Sequence, residues 1–442
     1  MLLGAYRGSI AANAALIAEY ITTPEAHGWS DGNTVQQNTD AFNAACADAS
    51  ANAGNSSTGR GVVELVPGKT YVVSAPNGVR NFPEGAIVLD ASRPNVEIRT
   101  QGKPVVGGNQ AVIQIAPWAG QTGVRQRSIV YFKGTNNCKL GWVKLDGNKI
   151  SCGSTFTERN DYLSNGGIDY SEGGNGGLHN ILFQGSGNCM LVHVDSSNAL
   201  SDGLVTRRLQ DDGSRVLNLL VEDCDFHHNR RQGYTPTGSL GDPNLTWDQI
   251  VFRRCKFRAT GDEAGVIWGQ APAAGVDIEP LQTSFDTWGM SFYNCEFNDQ
   301  AGSSFDSASG GPISFRTSRG LASDTHADVR YFRIIDCVAN NNTGEAYQIN
   351  MRDGADYEDV EMINLVASGN GNNRIGFFDA QGPAGDSQVR DAIIVNANVG
   401  LIFFEDELAD TGHSVTIWKG DFNPTITTSD RATITINNGF PP

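Results

Sequence analysis

Glu222-Asp223-Cys224-Asp225-Phe226 returns as Arg253-Arg254-Cys255-Lys256-Phe257 and again as Tyr293-Asn294-Cys295-Glu296-Phe297, with a looser echo at Ile335-Asp336-Cys337-Val338-Ala339. The cysteines step by 31, 40 and 42 residues. A fixed short β-phrase at an uneven period is the pattern of a coiled solenoid whose coils carry loops of different length. Such a fold has long flat faces, which suit long linear ligands. The four cysteines would stack as small buried hydrophobes. We expect a reduced core ladder rather than disulfides, although stacked strands about 4.8 Å apart bring neighbouring thiols toward bridging distance. No Cys-x-x-Cys occurs, so no structural zinc site is expected.

Working outward, the rest of the chain agrees with an all-β reading. Glycine is abundant, at 52 of 442 residues, and pairs such as Asn77-Gly78, Asp146-Gly147 and Gly369-Asn370 are turn formers that tolerate positive φ. The net charge of −17 argues against nucleic acid or an anionic membrane as the main partner. A local basic patch can still receive an acidic glycan. No apolar run approaches the roughly 20 residues of a membrane span, so no membrane insertion is expected. Met1 to Arg7 lacks the basic start and sustained apolar stretch of a signal peptide.

Residues 1–30 read as a separate leader with a helix over Ala11 to Tyr20, for attachment or capping. Residues 31–442 read as the solenoid. It opens on Asp31-Gly32-Asn33-Thr34, an Ala-rich helix at about 36–50 with Phe42, Ala45 and Cys46 on one face, then Val63-Glu64-Leu65-Val66-Pro67-Gly68-Lys69-Thr70-Tyr71. A helix here would cover the open end of the stack, which otherwise exposes a strand edge. This order resembles the opening segment of the pectate-lyase-like superfamily of right-handed parallel β-helices. Gln36-Gln37-Asn38 replaces that segment's acidic position before Thr39, while Val63 to Tyr71 matches closely. The resemblance implies a single right-handed parallel β-helix with an N-terminal capping helix. It is weak for activity, because the superfamily hosts lyases, hydrolases, epimerases and non-catalytic binders.

Alternation along a strand sends successive side chains to opposite faces. Reading the last strand of each coil this way puts His193 and Asp195, then Gln232 and Tyr234, then Asp277 and Glu279, then Ser314 and Arg316, then Gln348 and Asn350 on one outward stripe. A slip of one residue reverses a coil, and Gly233 is where the pattern is least firm.

Within that stripe, Gly275-Val276-Asp277-Ile278-Glu279-Pro280 sets two carboxylates on one side of a strand, about 6.5–7 Å apart. Such a pair can divide the acid and base roles of glycoside hydrolysis; the alternative is an ordinary solvated strand face with no chemical role. Tyr234 is a further acid or base candidate. Arg231 and Gln232 precede it, and Glu263 and Trp268 lie in the loop before Gly275, the tryptophan as a surface for a sugar ring. Arg316 opens a second chemistry, β-elimination on a uronate, with Arg316 or Tyr234 as base and a calcium ion on Asp277 and Glu279. In the hydrolytic reading no cofactor or metal is expected.

The Arg-Gln-Gly turn followed one coil later by Gly-x-Asp-x-Glu-Pro is similar to a pattern of bacterial and phage β-helix proteins that act on polysaccharides. That resemblance implies a depolymerase of phage tailspike type, a homotrimer located outside the cell or on a virion tail. The alternatives are a lyase or epimerase on a uronic-acid polymer, and a non-catalytic glycan-binding or structural β-helix.

Overall fold

The computed structural model describes residues 19–74, 85–116, 128–148, 179–199, 201–207, 213–229, 231–237, 240–260, 274–278, 287–300, 313–316, 329–351, 357–379, 389–404, 414–427 and 433–442. It is a right-handed parallel β-helix. Three parallel sheets of 15, 9 and 11 strands build the stack, and each coil from Gly61–Leu65 to Asn372–Asp379 contributes to each in turn. We call them the first, second and third sheets. The repeated phrase straddles the corner from the first to the second. Leu219–Glu222, Ile250–Arg253, Met290–Tyr293 and Val329–Ile335 are consecutive first-sheet strands, and Asp225–His227, Lys256–Arg258, Glu296–Asn298 and Val338–Asn340 their second-sheet continuations.

Single left-handed residues turn these corners. At the first-to-second corner φ is 54° at Trp142, 52° at His193, 54° at Asp223, 51° at Arg254, 52° at Asn294, 55° at Asp336, 54° at Asn364 and 53° at Asn396. Asn and Asp adopt this region at low cost because their short side chains bond locally. Rungs are tied by side chains as well. Asn396 Nδ2 donates to Asn364 Oδ1 (2.9 Å), and Asn364 Nδ2 to Asp336 Oδ1 (2.8 Å).

Inside, like stacks on like. Phe226, Phe257 and Phe297 lie with centroids 5.3 and 5.1 Å apart and rings within 12° of parallel. Each such pair contributes about 0.5–1.5 kcal/mol beyond its buried area. Cys224, Cys255, Cys295 and Cys337 form the neighbouring column, buried and unbridged like the other described cysteines. Burial pushes the Cys46 and Cys189 thiols up to about 12, so they stay protonated and inert.

The helix, α1, spans Val35–Ala51 and is fixed by a capping box between Thr34 and Gln37. Its Phe42, Ala45, Cys46 and Ala49 are buried over the first coil, and Asn43 ties it to the third sheet by accepting from Val88 N. The stack starts earlier than the sequence reading placed it. Tyr20–Thr22 already pairs with Gly61–Val63 in the first sheet, inside the segment expected to be a separate leader. The helix expected over Ala11 to Tyr20 lies almost wholly outside the described residues.

The connections are uneven. From Met190–Val192 to Val366–Ser368, two residues separate each first-sheet strand from its second-sheet continuation. From Ser197 onward, the connections from the second to the third sheet range from 3 to 17 residues, and those from the third back to the first, up to Phe404, from 5 to 13. All the variation therefore flanks the third sheet on both edges.

Candidate functional site on the outward face of the third sheet

The third sheet stacks Val130, Ile181, Leu204, Tyr234, Val276, Ile313, Tyr347 and Ile375 in one inward column. One residue along, the outward column reads Tyr131, Leu182, Val205, Thr235, Asp277, Gln348 and Gly376, the backbone of Ser314 pairing between Asp277 and Gln348. Its first half is a small apolar cluster of its own, separate from the core. Its second half is polar yet equally buried, with Thr235 at 1 %, Asp277 at 0 % and Gln348 at 3 % exposure.

Asp277 is the centre of that half. Its strand neighbours Val276 and Ile278 both belong to the core, so alternation turns the carboxylate outward. Gln232 Nε2 donates to Asp277 Oδ2 at 2.8 Å, and Thr235 Oγ1 donates to Gln232 Oε1 at 3.1 Å. The threonine thus fixes which end of the amide faces the acid. Burial, and then the nearby Asp277 charge, raise the Tyr357 hydroxyl above its ordinary value. Gln348 Oε1, on the same column, has no hydrogen-bond partner among the described residues.

A second acid stands at the edge of this face, at the corner from the second sheet. Asp202 is buried, with His179 Nδ1 3.1 Å from Oδ2 and Arg231 Nε 3.7 Å from Oδ1. Burial alone would raise its carboxyl. The Arg231 charge, the His179 contact and Ser201 outweigh that and hold it below the ordinary carboxylate value. Sequence reading missed Asp202 because it ends a short loop, off any alternating strand. The only sequence signal was its place one rung before Gln232, legible once Leu204 is paired with Tyr234.

The structure brings Gln232, Asp277 and Gln348 onto one face, with Arg231 beside its edge. Two corrections apply to the expected stripe. Tyr234 points inward and is fully buried, its hydroxyl 2.7 Å from Thr206 Oγ1. The register is one residue off the expected one at Gly233, where the corner interrupts alternation and Thr235 takes the outward place. Burial raises the Tyr234 hydroxyl well above its ordinary range, which further removes it from acid–base duty. His193 and Asp195 are not on the third sheet at all. His193 is a corner residue with φ 52°, and Asp195 opens the second-sheet strand Asp195–Ser197, 2.9 Å from His227 Nε2. Arg316 closes the third-sheet strand Ile313–Arg316, its backbone paired with Asn350. Glu263, Trp268 and Glu279 lie outside the described residues. Among the described residues no group of three or more His, Cys, Asp or Glu is placed to hold a metal ion.

The fold is a right-handed parallel β-helix, and the chain shares it with proteins of several kinds. The chain is similar to the A-module of the Azotobacter vinelandii mannuronan C-5 epimerase AlgE4, at TM-score 0.51 and 14% identity over 95% of this chain and 100% of that one. It is equally similar to an endo-xylogalacturonan hydrolase from Aspergillus tubingensis, at TM-score 0.51 and 11% identity over 95% and 94%. Geobacillus virus E2 ORF18 gives TM-score 0.51 and 10% identity over 94% of this chain and 64% of that one. At these identities the likeness concerns the fold. No family model matches the chain, and no curated protein matches it in sequence.

Proposed function

We propose that the protein acts on a polysaccharide, and that the work is done on the outward face of the third sheet around Asp277. The observation that carries this is a fully buried carboxylate turned away from the core and held by a glutamine amide, on the one sheet flanked by variable loops. Long flat faces with variable edges suit a chain-like substrate. A buried acid on such a face costs stability without adding to the core, as functional groups commonly do. The epimerase and the hydrolase above use this fold on sugar polymers, by their names, which supports the substrate class.

The finer reading is hydrolytic cleavage, with Asp277 and Glu279 dividing the acid and base roles, in a homotrimeric depolymerase of phage tailspike type working outside the cell or on a virion. Gln232 orients Asp277, and Gln348 Oε1 is a ready acceptor for a substrate hydroxyl. Asp277→Asn keeps the shape and the Gln232 contact while removing the charge. We expect it to lower cleavage of the responsive glycan in a digestion panel by at least about 100-fold, the usual span of a lost acid or base. Unchanged cleavage would place the chemistry elsewhere. Products carrying an unsaturated uronate would replace hydrolysis by β-elimination, and binding of a glycan without cleavage would make the protein an adhesin.

A further inference from the structure

Trp142 occupies a corner where the other coils mostly place Asn or Asp, at the same left-handed φ of 54°. A bulky ring in that region is an outlier that costs stability. Core packing does not explain it, because the side chain is only half-buried and lies outside the hydrophobic core. What surrounds it is charge. Lys139 Nζ stands 4.3 Å and Lys103 Nζ 5.1 Å from the ring centroid. His193, the next residue along the same corner column, lies 6.1 Å away with its ring inclined by 38°. Gln110 Nε2 donates to the His193 carbonyl at 2.7 Å and fixes that turn.

The two ammonium groups are unequally compensated. Lys139 has Glu97 at 3.7 Å, whereas Lys103 is exposed and makes no ion pair among the described residues, although both lysines act at longer range on the Glu19 carboxylate. Burial, and then repulsion by Lys103 and Arg60 against the pull of Glu97, leave the Lys139 ammonium below its ordinary value. An added negative charge would relieve that repulsion. In a chain of net charge −17, a strained aromatic that gathers two lysines is out of keeping with its surroundings.

We propose that this corner is a second, non-catalytic binding site, taking an anionic sugar unit, with Lys103 and Lys139 gripping its carboxylate or sulfate and Trp142 holding both lysines in place. The proposal rests on the polysaccharide reading but not on Asp277. The site sits at the corner of the first and second sheets, whereas Asp277 faces out from the third. Cation–π contacts preorganise the two ammonium groups, so the ligand does not bear the whole cost of ordering them.

The test uses Asp277→Asn protein, so that turnover does not consume the probe, in affinity gel electrophoresis with polygalacturonate, dextran sulfate or neutral dextran. We expect retardation by at least one of the two anionic polymers, none by neutral dextran, and weakening as salt rises. Polygalacturonate alone would mark a carboxylate site, and dextran sulfate a sulfate site. Trp142→Asn installs the residue type of neighbouring corners and should keep the fold, while Lys103→Gln removes only a charge. Each should weaken retention about tenfold or more. Retention untouched by either substitution, or no retention by either anionic polymer, overturns the proposal. Neither result bears on whether wild-type protein cleaves a glycan through Asp277, which the digestion panel reads separately.

Discussion

Tyr234 and Thr206 share a hydroxyl–hydroxyl bond inside the core, 2.7 Å long, with both residues fully buried. Tyr234→Phe leaves the Thr206 hydroxyl without that partner. It should cost about 1–2 kcal/mol of stability in chemical denaturation. Activity should not change, because the hydroxyl never reaches the outward face. A large fall in turnover at unaltered stability would instead give Tyr234 the chemical role that sequence reading offered it. That reading turned Asp277 outward because Val276 and Ile278 frame an unambiguous apolar alternation, and reached Gln232 only through the same slipped register that misplaced Tyr234. It misplaced Tyr234 because Gly203, Gly233 and Gly275 stack at a corner and carry no side chain to declare a face. A Cβ at Gly233 would lie 2.7 Å from the Gly275 carbonyl oxygen, so the glycine is there for closeness of backbone.

Among elements, α1 is the clearest case of a contact set by one atom. A Cβ on Gly61 would stand 1.9 Å from the Ala49 carbonyl oxygen, so the helix rests directly on the first rung. Gly61→Ala must lift the helix. We expect a loss of about 1–3 kcal/mol and, with the first strands uncovered, a tendency to aggregate. Gly54→Ala, whose Cβ would meet nothing within 4 Å, serves as the control and should unfold at the wild-type midpoint. The capping helix was legible to within a residue or so at either end, because Phe42, Ala45, Cys46 and Ala49 keep a helical period. The corners were not. One left-handed residue suffices to turn the chain, and here it is Asn, Asp, His, Arg or Trp, so no letter marks where one sheet stops. Val192-His193-Val194-Asp195 therefore reads as one strand, although His193 divides it between two sheets.

At the scale of the whole molecule, the outward face of the first sheet carries a short apolar column across its central rungs, with Glu222 and Arg253 on the same rungs two residues further along. Met190 and Leu220 are aligned there, half-buried, beside Val251. Charged residues lie further along the same column, Glu97 and Lys139 toward one end and Arg333 and Glu361 toward the other. An apolar strip bordered by charged residues is a common element of subunit interfaces, and we propose it as the trimer contact. Sedimentation equilibrium should return three times the chain mass, and Leu220→Glu should shift it toward one. A wild-type monomer at micromolar concentration would remove the trimer. The fixed two-residue corner has a further consequence. Because one corner of every central coil keeps the same length while the other two connections vary, the molecule divides into a constant-length spine and variable inserts. A library that varies only the stretches bordering the third sheet would therefore sample new ligand specificities on an unaltered scaffold, one coil at a time.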